Sequence, residues 1–443
     1  MATIAFLIEH EEGHLNPTFR LARRLAARDH RVVYLGLADG GDFVRAQGFE
    51  FIPILEEVFP RGTLRTLREM MRTAPAATVE ERSAEIAAAL QTVRETPYAR
   101  TWKGLLDAGP ELDRTVEALR PDLFVLTSLF VPHALVLRSR FRRPVVLLTP
   151  LLRTAPKSEY AAEVIRLMME IGETKERIGA LLPPSPPSPR ALGLTQRLLV
   201  QILRMRELIL CPADFELPGK SWEGEPEVYY VEPTVDLERR AEGAFPWEAL
   251  DPARRLVYVS LGSQSHRAGA GRVKAFLHAA AAAFAERPEW QVVISTGGLL
   301  EPGEIAPGGI VTGWAPQLDL LDRAAVMVTH GGMGTVKECI VRGVPMVVFP
   351  IDHDQPDNAR RVVHHGLGVS GDLAGASAGD IAALVEQADR PAVRESMARM
   401  RRRFLDVEGS GIGVRLIEQL LEGQDGQRDK GAAQPGGVRA GGA

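Results

Sequence analysis

The sequence predicts an α/β protein made of two doubly wound units with parallel sheets, and three observations lead there. The N-terminus reads as strand, helix, strand. Thr3 to Ile8 is apolar, Pro17 to Ala27 is amphipathic with Phe19, Leu21, Ala22 and Leu25 on one face, and Val32 to Gly36 is apolar again. The same order recurs far downstream. Ala325 to Thr329 runs into the turn His330-Gly331-Gly332-Met333-Gly334, Thr335 opens a helix, and Val344 to Pro350 returns as strand. Strands alternating with helices in this way imply parallel pairing. Length supplies the doubling, because 443 residues exceed the roughly 250 to 300 at which a single core stops growing.

The remaining elements follow in order. Asp42–Gln47 reads as helix, Phe49–Ile54 as strand, Val79–Glu95 and Glu111–Leu119 as helices, and Asp122–Leu126 and Arg143–Thr149 as strands. Pro60 to Pro75 is expected to be a mobile pocket wall. Glu163 to Leu182 is helix-forming and ends at the proline run Pro183 to Pro189, which can only be loop or stiff spacer. Leu192 to Leu208 sets Leu198, Leu199, Ile202, Leu203 and Met205 against Arg197, Arg204 and Arg206. Such a basic amphipathic helix can lie on a membrane, although packing on its own domain is the more frequent outcome. Leu208–Leu210 and Val228–Val231 close the first unit, and Glu232 to Pro252 is a polar linker.

The second unit opens with Leu256–Leu261, a strand running into Gly262-Ser263-Gln264. Lys274–Glu286 follows as helix, then Trp290–Thr296 and Ile310–Thr312 as strands. After the glycine turn come helices at Asn358–His365, Ala378–Ala388 and Ala392–Phe404, and a last one at Gly411–Glu422. The expected boundaries are therefore 1–235, 236–405 and 406–422. The last 21 residues, 423–443, contain seven glycines and are expected to be disordered.

Composition excludes several classes. Hydrophobic residues at 45% and charged residues at 25% describe an ordinary globular chain, and a net charge of −4 lacks the basic excess that nucleic-acid binding requires. Cys211 and Cys339 are the two cysteines and lie far apart, so neither a disulfide framework nor a cysteine-rich metal site is expected, and a reducing cytoplasm is the simplest location. The first residues lack a basic segment and read as a strand rather than a signal peptide. The longest apolar stretch, Leu123 to Leu137, is interrupted by Thr127, Ser128, Pro132 and His133 and is too short to span a bilayer.

The chemistry concentrates between Trp314 and Gln355. A glycine turn and a helix N-terminus at the carboxyl end of a parallel strand collect free backbone N–H groups and the positive end of a helix dipole, which suits a phosphate. Gly331, Gly332 and Gly334 let an anion approach the backbone, Thr335 offers a hydroxyl and His330 an imidazole. Glycines alone would leave an empty βα turn equally acceptable.

The flanks decide between the two. Trp314-Ala315-Pro316-Gln317, then His330-Gly331-Gly332-Met333-Gly334-Thr335 with Glu338, then Asp354-Gln355, together resemble the donor-binding signature of the UDP-glycosyltransferase superfamily, nucleotide-sugar-dependent enzymes with the two-domain GT-B fold. The resemblance implies that Trp314 stacks on the base and Gln317 reaches the base or ribose. It implies further that His330, Gly334 and Thr335 hold the pyrophosphate, Glu338 the ribose hydroxyls, and Asp354 with Gln355 the sugar hydroxyls. Ser263 would donate to the diphosphate. A short segment between Gln317 and His330, and glycine at 334 where plant members usually carry asparagine, resemble the bacterial natural-product branch.

His10-Glu11-Glu12-Gly13-His14 matches the zinc pattern H-E-x-x-H. That pattern works only when both histidines share one helix face. Here a strand precedes them, Gly13 interrupts them and Pro17 marks the expected helix start, so no metal is expected. Gly13-His14-Leu15-Asn16-Pro17 instead resembles the family's first βα loop, whose histidine is the catalytic base. With an unperturbed pKa of about 6.5, imidazole is suited to taking a hydroxyl proton near neutrality; the alternative is a loop histidine bonding locally. The aspartate that orients this histidine in relatives falls here on Thr127 or Ser128, and Asp122 lies at the wrong end of its strand. Three explanations stand: a neutral hydrogen bond from Thr127 or Ser128, an acid from elsewhere, or an acceptor acidic enough to need little help.

The expected function is inverting transfer of a hexose, glucose by preference, from a UDP- or dTDP-sugar co-substrate to a hydroxyl of a small, largely apolar acceptor, with no further cofactor. Two rivals are a catalytically silent nucleotide-sugar-binding partner protein, and a GT-B epimerase or cell-wall precursor transferase. The latter lack the Trp314 to Gln317 element together with Asp354-Gln355.

Overall fold

The computed structural model describes residues 1–9, 12–57, 59–62, 109–170, 177, 180, 193–239, 245–262, 265–300 and 309–432. The expected helix at Val79–Glu95, the proline run, most of the Pro60 to Pro75 wall, His10 and Ser263 lie outside them.

The first unit runs β1 (Thr3–Leu7), α1 (Glu12–Ala26), β2 (Arg31–Gly36), α2 (Gly41–Ala46), β3 (Glu50–Pro53), α3 (Gly109–Leu119), β4 (Leu123–Thr127), α4 (Val131–Phe141), β5 (Val145–Thr149), α5 (Lys157–Glu170), α6 (Leu194–Leu203), β6 (Arg206–Ile209) and β7 (Val228–Tyr230). The second runs β8 (Arg255–Ser260), α7 (Ala270–Ala282), β9 (Trp290–Ser295), β10 (Gly309–Thr312), α8 (Gln317–Leu321), β11 (Ala324–Thr329), α9 (Met333–Arg342), β12 (Met346–Val348), α10 (Gln355–His364), β13 (Gly368–Ser370), α11 (Ala378–Ala388), α12 (Pro391–Ser410) and α13 (Ile412–Ala432).

The strand orders are β3-β2-β1-β4-β5-β6-β7 and β10-β9-β8-β11-β12-β13. Every pairing is parallel. Both sheets therefore change winding direction at their centre, between β1 and β4 and between β8 and β11, where open α/β sheets leave a crevice at the carboxyl ends of the strands. The fold is GT-B.

Alternation along the strands assigns the cores. Ala5, Leu7, Phe124 and Leu126 face α3 to α6, whereas Ile4, Phe6, Leu123 and Val125 face α1 and α13. Tyr258, Met327 and Met346 pack with α8, α9, α10 and α12, and Val257, Val292 and Val326 with α7 and α11. Apolar burial on both faces is why these strands read as continuous hydrophobic runs.

Several boundaries differ from the sequence reading. Helix α1 begins at Glu12, not Pro17. A proline inside the helix loses one backbone bond, here to the Gly13 carbonyl, while burial of Leu15, Pro17 and Phe19 holds the turn in place. Two of the reasons for rejecting the zinc pattern, a break at Gly13 and a helix start at Pro17, therefore fail. No group of three metal-ligating side chains occurs among the described residues. Helix α9 starts at Met333 and not Thr335, and α10 at Gln355 and not Asn358. Helix α6 ends at Leu203 because Arg206 to Ile209 enters the sheet beside β5. Its Leu198 and Ile202 are buried in the first core, the packing alternative to a membrane surface. Among the described residues no helix is long and apolar enough to cross a membrane.

The C-terminal segment also departs. Helix α13 continues to Ala432, past the point where disorder was expected to begin, and residues 433–443 lie outside the description. Val414 and Ile417 enter the core under α1, and Arg28 Nε meets Glu418 Oε1 at 2.6 Å. The end of the chain thus packs on the first sheet.

Candidate active site

The carboxyl ends of β1, β5 and β8 to β12 open onto one cleft of about 370 Å³ between the two sheets. His14 lines it from the first unit, and Trp314, His330, Gly334, Glu338 and Gln355 line it from the second.

On the second side, α9 points its first turn into the cleft with no side-chain cap, so its leading N–H groups face whatever enters. Gly334 sits in that turn with nothing within 4 Å of where a Cβ would lie. Gly331 has φ +85° and a Cβ there would fall 2.6 Å from Val348 Cγ1. The His330 imidazole is packed between two backbones: a Cβ at Gly262 would lie 2.5 Å from its Cε1, and one at Gly332 would lie 2.6 Å from its Nε2. Burial pulls the His330 pKa down to about 4, against a weaker opposing pull from Asp352. The ring is therefore neutral at physiological pH and meets an anion as a hydrogen-bond donor, not as a charge.

Glu338, four residues from Gly334 on α9, is held by two partners. Gln317 donates from Nε2 to Oε2 at 2.5 Å and Arg239 from Nη1 to Oε1 at 2.8 Å. Gln317 also reaches Thr335 Oγ1 at 3.3 Å. The Trp314 side of the cleft is open, with the residue 60% exposed, and its carbonyl accepts from Thr312 Oγ1 at 2.8 Å.

Asp354 precedes α10 and accepts from Asn358 Nδ2 at 2.7 Å, while the same amide donates to the Gly331 carbonyl at 2.9 Å. Burial raises the Asp354 pKa. Gln355 turns its Oε1 to the N–H groups of Ile351 and Asp352 at 2.8 and 3.2 Å. Its oxygen thus braces the turn before α10, while its amide nitrogen donates to Asp352 Oδ1 at 3.4 Å and keeps its second N–H.

On the first side, His14 lies in the opening turn of α1. Thr127 is fully buried, and its hydroxyl has no partner among the described residues. Ser128 offers its carbonyl to the Tyr160 hydroxyl at 2.7 Å. No hydrogen bond joins either side chain to His14 among the described residues. The carboxylate that meets the ring is Glu9, with Oε2 3.6 Å from His14 Nε2. Asp122 lies at the opposite end of the sheet, accepting from Thr3 N at 2.9 Å. Glu9, Gly262 and Arg239 escaped the sequence reading. The small-residue loop after β8 pointed to Gly262; Arg239 carries no local mark.

The family model described as UDP-glucoronosyl and UDP-glucosyl transferase matches residues 241–402, which contain every donor-side residue named above except Arg239. Over nearly the whole chain, the sequence is 29% identical to the oleandomycin glycosyltransferase of Streptomyces antibioticus, covering 99% of this chain and 97% of that one. The chain belongs to the UDP-glycosyltransferase superfamily. Within it, this glycosyltransferase falls in the bacterial natural-product branch. It is 26% identical to the demethyllactenocin mycarosyltransferase of Streptomyces fradiae, with 95% and 87% of the two chains covered. It superposes on the crystal structure of the glycotransferase of kitacinnamycin with a TM-score of 0.69, 27% identity and 95% and 98% coverage.

Proposed function

We propose that this glycosyltransferase moves a hexose, glucose in the first instance, from a nucleoside diphosphate sugar to a hydroxyl of a small, largely apolar acceptor, with inversion at the anomeric carbon. The observation that carries the reading is the uncapped N-terminus of α9, with Gly334 open beside it, in the same cleft as His14. Trp314 stacks on the base, Glu338 takes pentose hydroxyls, and Asp354 with the Gln355 amide nitrogen takes sugar hydroxyls.

In the reaction, the His14 imidazole accepts the acceptor's hydroxyl proton and the oxygen attacks the anomeric carbon from the face opposite the diphosphate. The bond from that carbon to the diphosphate oxygen breaks, and its electron pair leaves with the nucleotide. Backbone N–H groups at Met333 to Thr335, with His330, stabilise the departing charge without calling on a cation. Glu9 stabilises the imidazolium as it forms. The silent-partner reading rested on a missing carboxylate, and Glu9 supplies one at that ring.

Incubation with UDP-glucose or dTDP-glucose and a panel of phenols and macrolides tests the proposal. Nucleotide release that depends on the acceptor supports it. Tight donor binding with no release under any acceptor overturns it.

A further inference from the structure

Behind the cleft wall, one amide ties two supports together. Asn358, on α10, is completely buried, and its Nδ2 spends one N–H on Asp354 Oδ2 at 2.7 Å and the other on the Gly331 carbonyl at 2.9 Å. Asp354 belongs to the grip on the sugar and Gly331 to the turn that carries the diphosphate. The bond that breaks in transfer joins those two parts of the donor, so a single side chain sets the spacing of the supports on either side of it.

The amide is itself held. Its Oδ1 accepts from Arg361 Nη1 at 3.3 Å, and a guanidinium only donates, so the oxygen faces Arg361 and the nitrogen faces Asp354 and Gly331. Arg361 is anchored on the first unit. Its Nε and Nη2 lie 3.1 and 2.8 Å from Glu216 Oε2, the two side chains are 3% and 2% exposed, and Glu216 Oε1 accepts from the Tyr230 hydroxyl, at the end of β7, at 3.0 Å. A buried pair of this kind is costly to break, which makes the anchor firm. Burial pushes the Asp354 carboxyl up, and the bond from Asn358 is the leading pull against it. The contact that places the carboxylate therefore also favours its charged form, the better acceptor of hydroxyl protons.

We infer that Asn358 is a positioning residue for the transfer step: anchored to the first unit through Arg361 and Glu216, it fixes the distance between the sugar-holding carboxylate and the diphosphate turn, and with it the placement of the anomeric carbon before His14. The inference rests on the roles given above to Asp354 and the glycine turn. Asn358 itself touches neither substrate. Its loss falls on turnover, where a misplacement of about 1 Å can cost about a hundredfold, more than on affinity for the nucleotide alone, which meets only the turn.

The test measures kcat of Asn358→Ala and Asn358→Asp with UDP-glucose or dTDP-glucose and the phenol or macrolide that gives the wild type its fastest turnover. Calorimetric titration with the matching nucleoside diphosphate and a thermal melt accompany it, all on the full chain. Aspartate keeps the volume and the acceptor that faces Arg361 while removing both N–H groups, and it serves where the alanine variant folds poorly. Each folded variant is expected to lose at least about tenfold in kcat, the scale of a hydrogen bond to a charged group, with diphosphate affinity held within about twofold. A smaller loss of kcat overturns the positioning by Asn358, and so does a loss matched by an equal fall in diphosphate affinity, while the donor site stands. A wild type that turns over neither donor with any acceptor of the panel overturns the proposed function itself.

Discussion

The Nζ of Lys337, on α9, donates to the carbonyl of Leu210, just past β6, at 3.0 Å. One lysine thus carries the helix of the second unit across to the end of a strand in the first. The side chain is almost fully buried, and burial pulls its pKa down to about 8.

A pH dependence of stability follows from that shift. Lysine in the unfolded chain titrates near 10.5, so between pH 8 and 10.5 the unfolded state binds a proton that the folded state has shed. Stability therefore rises with pH through this window, by up to about 3 kcal/mol. Cys211 and Cys339, pushed upward by burial from 9.0, act in the opposite direction from about pH 9, and Tyr34 and Tyr258, likewise raised by burial, above about pH 10. The lysine's share is therefore read from the comparison with a variant that lacks it. Urea unfolding from pH 7.5 to 9.5 should show the wild type gaining stability relative to Lys337→Met. Parallel profiles would remove the buried charge from the account.

His14→Ala should abolish sugar transfer while leaving nucleotide affinity within about twofold, since its place is on the far wall of the cleft. Glu9→Gln keeps the ring in place but withdraws the charge that faces the imidazolium. Its kcat should fall by about tenfold with the donor KM unchanged, a loss on the scale of one charged contact. A Glu9→Gln variant that turns over at the wild-type rate would return the orientation of the base to Thr127 or Ser128.

Two glycines should respond in opposite ways to alanine. Gly334→Ala meets nothing in the protein and improves helix propensity, so the melting temperature holds or rises while UDP affinity drops as the methyl enters the diphosphate cradle. Gly262→Ala imposes a side chain at φ +72° and 2.5 Å from the His330 ring, and should cost stability by roughly 1–3 kcal/mol as well as binding. Thermal melts paired with UDP titration separate them. Equal destabilisation by both would contradict the open space at Gly334.

Trp314→Ala removes a side chain that is mostly exposed, so stability should change by no more than about 0.5 kcal/mol. Nucleotide affinity should fall about tenfold or more, as expected for loss of stacking beneath a base. Unaltered affinity for UDP would mean that the base lies elsewhere.

The fold was legible where burial leaves a pattern that is local in sequence. β8 and β11 are apolar on both faces, and the glycine turn ending in Thr335 can be neither helix interior nor strand. Helix starts were less legible. Pro17 and Thr335 both suit a first turn by residue type, yet α1 and α9 each begin earlier, because packing of Leu15 and Met333 outweighs local preference. The donor cradle was readable since its glycines, His330 and Glu338 lie within one βα unit. Arg239 lies 99 residues from Glu338, and no periodicity links them. Glu9 was overlooked for another reason: the direction of a side chain just past a strand end depends on the turn that follows, and that turn was misread.

The polypeptide passes between the two halves twice, once through the segment from Glu232 and again at the joint between α12 and α13. The two passages are fastened together where Gly413 N donates to Glu232 Oε2 at 2.8 Å. A molecule joined by a single strap can swivel freely; one joined by two adjoining straps bends like a book about its spine. The halves should therefore open and shut along a single coordinate, bringing His14 back to the same place over each sugar.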